Sequence, residues 1–577
     1  MNLKPLLKYA LGREKCDTLF TNATFANLCT MELETADIAV KDGVIIGIGE
    51  GYEAGEIIDC TGTLLVPGFI EGHTHIESTY MTPRNAAAAM VAYGTTTAMP
   101  DPHEIANTCG VEGVRFMKRE SENLPVDFYY GAPSCVPASP FETPFQEIRA
   151  DEIKKLFEDG TCSHLGEMMN FPGVCFGDDD TWDKLNVSRD KVITGHSPRV
   201  VGKELCAYLL GGVTSDHERE TKEEAFEAIR RGMFLMIRQC ATGRNLKTLA
   251  PLLIEHPWIA ARCITVSDDL FPEFMRERGE LDGCLRELIE VGVSPFTALR
   301  TITLSPAEYF RLYDRGIIAP CKIADIVMLD NFRNCKVLKV WKRGKLVAEN
   351  GAAVEKITRS IFSELPGFMG KDVKTPTSEE LRIVAPDKSA KINVIGMTNG
   401  QIITKTLCVE PNIKEGLVCA DVRRDIAKMV VVEKNRGTGK FSVGFIKGFG
   451  LKRGAFALSV AHDAHNFTCV GIDDESMAAA LAELARMHGG IVVADGEKIL
   501  ASLELPVGGL MSLLPIDELC KKFSELRAAY GSLGCENGFA FMQLSFMSLS
   551  VIPELKLTDK GYVDISDGGI KPLFVAR

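Results

Sequence analysis

A chain of 577 residues is too long for one hydrophobic core, so roughly two to four domains are expected. Its apolar fraction of 46% and charged fraction of 25% are those of a folded globular protein. A formal net charge of −13 argues against a nucleic-acid backbone or an anionic membrane as partner, and leaves a neutral small molecule open.

The first residues, from Met1 to Arg13, lack the apolar run and small-residue cleavage site of a signal peptide, and no stretch is apolar enough to span a bilayer. The 18 cysteines stand singly with no C-x-x-C, a pattern of reduced thiols rather than of a disulfide scaffold. A soluble cytoplasmic protein is the expectation. Short alternating segments follow, and residues 37–49 read as a hairpin turning at Asp42-Gly43. A similar β-rich stretch recurs at 320–350, so the two pieces are expected to form one small composite β-domain, 1–65 plus 319–362.

Between them, buried strand-like runs alternate with helical patterns, as in a parallel α/β fold. The runs are 65–71, 95–99, 127–131, 163–168, 191–194, 212–215, 234–237 and 262–267. Eight such units over about 250 residues predict a TIM barrel, (β/α)8, spanning 66–318. Residues 363–391 are rich in Pro, Lys and Ser and read as a linker, and 392–577 as a further α/β domain. That last domain contains one evident helix, with Asp474 as N-cap, Met477, Leu481, Leu484 and Met487 on one face, and Gly489-Gly490 at its end.

Catalytic residues of such barrels lie at the C-terminal ends of the strands. Run one ends in His73-Thr74-His75, whose imidazoles at i and i+2 project from one face. Run two leads to Asp101-Pro102-His103-Glu104, run four holds Glu167, and runs five and six end at His196 and His217. Run eight ends in Ser267-Asp268-Asp269. Five of the 10 histidines therefore fall just past a predicted strand, on the same rim. Histidines and carboxylates without cysteine suit divalent Zn, Mn or Fe. Four histidines (His73, His75, His196, His217) with Glu167 and Asp268 are too many ligands for one tetrahedral ion, and fit two ions sharing a carboxylate. Asp268 is placed to take and return a proton.

In this pattern the chain resembles the amidohydrolase superfamily, and within it the adenine deaminase family. The resemblance rests on PGFIEGHTHIEST (67–79), YGTTTAMPDPHEIAN (93–107), HLGEMMNFPGV (164–174), GHSP (195–198), TSDHE (214–218) and SPAEYF (305–310). In the last domain it rests on GFGLKRGAFALSVAHDAHN (448–466), GGIVVADG (489–496) and LSFMSLSVIPELKLTDKG (544–561), so it covers nearly the whole chain. It implies hydrolysis of adenine to hypoxanthine and ammonia by a homo-oligomer, dimer or larger. It implies metal ligation by His73, His75, His196, His217 and Asp268, with Glu167 as the bridging carboxylate where many relatives use a modified lysine. Asp101, His103, Glu104 and Ser267 become expected substrate contacts, with His103 and Glu104 joining Asp268 and Glu167 in catalysis.

Two departures stand out. The family's usual Thr-Asp-Asp is Ser267-Asp268-Asp269, and a common histidine in Gly-His-x-Asp is Glu280. Another aminopurine, a cyclic amide, or a non-catalytic role therefore stay open beside adenine. His462 and His465 read as a hydrogen-bonded pair shaping the last domain or its contact with the barrel, with a further metal site as the alternative. His164, His256 and His488 read as structural or exposed, Arg276–Arg278 as a solvated helix face, and 437–440 as a loop lacking the spacing of a phosphate-binding P-loop.

Overall fold

The computed structural model describes residues 3–240, 243–355, 365, 373–386, 390–398 and 402–575. Among these, strands Cys16–Asn27, Glu32–Lys41, Val44–Ile48, Ala54–Asp59 and Leu64–Pro67 share a nine-stranded sheet with Ile326–Leu329, Val337–Lys342, Lys345–Glu349 and Ala352–Ala353. The expected hairpin is present: Glu32–Lys41 pairs antiparallel with Val44–Ile48, and Asp42 and Gly43 take φ of 50° and 75° at the turn. Positive φ at both centres is what a two-residue hairpin loop requires, and Asp-Gly supplies it at little cost. The two ends of the sheet meet where Leu64–Pro67 runs antiparallel to Ile326–Leu329, over a core that includes Phe20, Phe25, Ile38, Leu65 and Trp341.

The predicted strand at 65–71 divides in two. Leu64–Pro67 belongs to this sheet, whereas Phe69–Thr74 opens the barrel. Both halves are buried and apolar, so hydrophobicity alone leaves no mark between them. The mark is Gly68, whose N–H donates to Asp325 O at 2.8 Å and where a Cβ would lie 2.3 Å from Thr96 Oγ1. Only a residue without a side chain lets the two sheets pass so closely.

The (β/α)8 barrel continues through Thr95–Pro100, Asp127–Phe128 with Tyr130–Ala132, Cys162–Met168, Ile193–Gly195, Ser215–Asp216, Phe234–Arg238 and Cys263–Val266. Their pairings are parallel. A bond from Thr214 N to Ile193 O at 3.0 Å joins the fifth strand to the sixth. Closure comes between the eighth and the first: Asp268 N donates to His73 O at 3.0 Å, and His75 N to Asp268 O at 3.3 Å. The fifth and sixth strands lie further along the chain than the hydrophobic runs at 191–194 and 212–215 suggest. Val192 gives the sheet a single bond, its carbonyl accepting from Leu165 N at 2.9 Å, before the ladder begins at Ile193.

In the C-terminal half, Thr404–Val409, Lys391–Met397, Phe441–Lys447, Ile426–Val432, Phe467–Gly471, Ala455–Leu458, Gly490–Asp495 and Lys498–Glu504 lie side by side in that order, with Phe574–Val575 beside Lys391–Met397. Helix Asp474–Arg486 covers this sheet with Met477, Leu481 and Leu484. Its N-cap is Asp473, not Asp474 as the pattern suggested. Asp473 keeps extended backbone (φ −134°, ψ 152°) and accepts from Ser476 N at 2.8 Å. Part of the expected linker at 363–391 lies outside the described residues; within 373–386, Val373 and Leu381 are buried in the same apolar cluster as this helix and sheet.

A buried ionic knot ties the composite sheet to the N-terminal ends of the barrel strands. Lys342 Nζ donates to Asp325 Oδ2 at 2.7 Å, Asp127 Oδ2 at 2.8 Å and Thr96 O at 2.8 Å. Arg315 Nη1 reaches the same Asp127 oxygen at 2.9 Å and Thr97 Oγ1 at 2.7 Å. Removing one partner of such a group leaves the other charge buried and uncompensated, at about 3–5 kcal/mol. We expect Lys342→Met to lower the thermal unfolding midpoint by the equivalent of about 3 kcal/mol, and Asp325→Asn in the same chain to recover part of it. Metal uptake at the opposite rim should be unchanged in both.

Candidate metal centre

At the end of the first barrel strand the i, i+2 spacing does what alternation requires: the His73 and His75 rings lie 4.9 Å apart and face one volume. Their Nε2 atoms lie 3.4 and 3.2 Å from Asp268 Oδ1, and 4.0 and 3.4 Å from Glu167 Oε1. From the far side, His196 Nδ1 approaches Glu167 Oε2 to 3.0 Å and His217 Nε2 to 3.3 Å. Glu167 thus stands between two pairs of imidazoles, one pair to each oxygen. The six residues expected as ligands come together, all buried except the partly exposed His196.

Several observations fit this cluster to divalent metal. His73 Nε2 is buried and has no hydrogen-bond partner. His75 Nδ1 lies 3.1 Å from Asp101 O, and a ring N–H donated there leaves the Nε2 lone pair for a cation. Sets of three such donors (His73, His75, Glu167; His73, His217, Asp268; Glu167, His196, His217) fall within 4.8 Å of one another. The charge balance agrees. Burial alone would raise the Glu167 carboxyl, but hydrogen bonds from His196 and His217 hold it well below the usual range. Burial likewise opposes ionisation of Asp268, and His73 and His75 hold it low. Burial works against a charged His196, yet Glu218 and Glu167 push it up to about 9. Protons on the imidazoles balance the carboxylates here, and a divalent cation supplies that counter-charge directly. Nitrogen and oxygen donors without sulfur match Zn, Mn or Fe.

Other expected residues surround the cluster. Asp101 Oδ2 accepts from Glu167 N at 2.6 Å, and its Oδ1 lies 3.4 Å from His103 Nδ1. Against the effect of burial, Asp101 pushes His103 up to about 10. His103 Nδ1 is also 3.6 Å from Glu167 Oε1. Helix His103–Glu120 starts directly after the second strand, which puts Glu104 in its first turn, where Glu104 accepts from Ser78 Oγ at 3.0 Å. Ser267 turns its hydroxyl to Thr74 Oγ1 at 3.2 Å.

Sequence reasoning missed two residues. Arg238, the last residue of the seventh strand, grips both oxygens of Glu218 and donates to Asp268 Oδ2 at 3.1 Å. Glu218 follows His217 directly, and Arg238 ends the seventh strand, which like the third was a rim position left without a candidate. Glu71 was a further omission: one oxygen accepts from His73 N at 3.1 Å and the other from Ser267 N at 3.0 Å.

Glu280 does not join the imidazoles; its carboxyl accepts from Thr95 Oγ1 and lines a cleft with Ser267, Cys240 and Arg244. A second, small cavity lies between barrel residues Ser78 and Asp269 and C-terminal residues His462, Met542 and Phe546. His164 is structural, its Nδ1 3.0 Å from Ser163 Oγ. Arg276–Arg278 is exposed, as expected, and Arg276 makes a surface ion pair with Asp517 of helix Ile516–Ser532 at 2.5 Å. The backbone N–H groups of the loop around 437–440 go to a carboxylate of the chain itself: Glu433 accepts from Arg436 N at 2.6 Å and Thr438 N at 2.9 Å.

Residues 64–347 match the model of the amidohydrolase family, and residues 401–568 match the adenine deaminase C-terminal domain. The chain is 42% identical to adenine deaminase 2 of Carboxydothermus hydrogenoformans, over 99% of each chain. It is 38% identical to the adenine deaminase of Dehalococcoides mccartyi strain CBDB1 over 98% of each, and 38% identical to that of Thermosipho africanus over the whole of both. With both halves matched in order and relatives alike from end to end, this chain belongs to the adenine deaminase family of the amidohydrolases.

Proposed function

We infer that this chain hydrolyses adenine to hypoxanthine and ammonia. One observation carries the reading: a closed set of four imidazoles and two carboxylates on the rim of a barrel, in a chain similar over its full length to adenine deaminases. His73, His75, His196, His217 and Asp268 would hold two divalent ions, with Glu167 between them. Bound there, such ions would lower the pKa of a water toward neutrality and polarise the substrate.

The chain's own groups account for the protons. As the water oxygen attacks C6, Asp268 accepts one proton, its Oδ2 steadied by Arg238. Attack pushes electrons onto N1, which must gain a proton. Burial raises the Glu104 carboxyl above the usual carboxylate range, so it can carry that proton and give it to N1. Asp268 then returns its proton to the amine, the C6–N6 bond breaks, and ammonia leaves. The hydroxyl proton of the tetrahedral centre passes back to Glu104 as C6=O forms. His103, kept cationic by Asp101, adds positive charge near the developing anion.

The same reading divides the chain into a composite β-domain (1–65 plus 319–362), a barrel (66–318), a linker (363–391) and a C-terminal domain (392–577). It places the protein in the cytoplasm, which its 18 unpaired cysteines support. It makes the protein a homo-oligomer, supported by the exposed Phe176 and Leu210 on adjoining helices and testable by light scattering. The place of Glu280 in the cleft beside Ser267 favours one second reading, an aminopurine other than adenine as the better substrate.

Purified protein supplied with Mn, Fe or Zn should release ammonia from adenine and shift its ultraviolet spectrum to that of hypoxanthine. Chelation should abolish this and metal restore it; no turnover with any of the three metals, but turnover of another aminopurine, would replace adenine as substrate. Glu167→Ala should drop metal content from about two ions per chain to one or none, measured by elemental analysis. Glu104→Gln should keep its metal while kcat falls by about 10²–10⁴. For Arg238→Ala we expect a loss of about 10- to 100-fold in activity or metal affinity, read by steady-state kinetics and metal titration.

A further inference from the structure

Beyond the metal cluster, barrel and C-terminal half bury a second group of imidazole and carboxylate side chains. Glu104 offers an oxygen, and His462 and His465 a nitrogen each, all within 4.8 Å of one another. A third metal is the obvious reading, and the hydrogen bonds oppose it. His465 Nδ1 accepts the Ala461 N–H at 3.1 Å, so the neutral ring carries its proton on Nε2 and has no lone pair there.

The segment is instead built to hold one ring still. The His462 N–H donates to Ser545 O at 2.9 Å, and its carbonyl accepts from Ser548 Oγ at 3.2 Å. Its imidazole stacks on Phe546 at 4.7 Å and 6°. Its Nδ1 lies 3.6 Å from Glu104 Oε1. Two bonds to Glu142 lash this region to the barrel, from Ala464 N at 3.3 Å and Ser550 Oγ at 3.2 Å. The cavity along this edge has Ser78 and Asp269 on the barrel side, and Met542 and Phe546 on the other. A flat heterocycle with polar edges needs such a pairing of hydrogen-bonding groups with an aromatic and apolar wall.

We propose that the C-terminal domain forms one wall of the purine site, with Phe546 and Met542 against the ring and His462 positioning the Glu104 carboxylate. The proposal rests on the adenine reading and assigns the C-terminal domain a share in binding the substrate. The cleft lined by Cys240, Arg244 and Glu280 is the rival seat for the ring.

The test uses the full-length, manganese-loaded protein, with kcat and KM for adenine, inhibition by hypoxanthine, metal count and melting point read on each variant. Phe546→Leu should raise both KM and the hypoxanthine inhibition constant by about 5- to 100-fold, the range expected for a lost stacking face. Met542→Ala should move the same two constants in the same direction, and tests the wall if the Phe546 variant fails to fold. His462→Ala should lower kcat by up to about 100-fold at unchanged metal content, as for a displaced catalytic group, with partial rescue in His462→Gln. The proposal is overturned if these variants leave the constants alone while Arg244→Ala raises them, or if His462→Ala loses metal. A wild-type protein that neither turns over adenine nor binds hypoxanthine would instead sink the parent reading and this one with it.

Discussion

The rim is organised around the buried Glu167 carboxylate, set between two pairs of imidazoles. An isolated carboxylate there would be protonated rather than pay the cost of burial. Its oxygens stay ionised because His75 faces one and His196 and His217 the other, and because Asp101 takes the Glu167 backbone N–H and fixes its entry angle. The imidazoles are aimed in turn by strand alternation and by carbonyls such as Asp101 O. Glu167, Asp268 and the histidines are therefore one electrostatic unit, in which no member holds its charge state without the others.

That unit was readable in the sequence to the extent that its geometry is local. His73 and His75 share a face because side chains in a strand repeat every two residues, and the rest fall at strand ends because parallel barrels present that rim. Arg238 and Glu218 escaped because their role is set across strands. An arginine ending a strand looks like surface until its partner's position is known. The strand at 65–71 was joined in error because burial looks alike on the two sides of Gly68. The helix cap missed by one because Asp473 and Asp474 have the same capping chemistry, and only backbone angles decide between them.

The C-terminal half was least readable. One helix could be inferred from periodicity, but the contact of this half with the candidate site runs through Glu142, Glu104, His462 and Phe546, which lie far apart in sequence and carry no shared pattern. Such contacts come from tertiary packing, which one sequence does not encode by spacing. The family resemblance reached this half as motifs, and the geometry adds what those motifs touch.

The barrel's seam lies at the metal cluster. The first and eighth strands are joined there by the reciprocal bonds of His73, His75 and Asp268, and beneath them by Glu71, which bonds to both strands. The ligands from the first strand and from the last are separated by nearly the whole barrel sequence, so the ring can close only after the eighth strand has found the first. A cation held by both sides would then act as a clasp on the finished cylinder, its binding energy counting toward keeping the circle shut as well as toward chemistry.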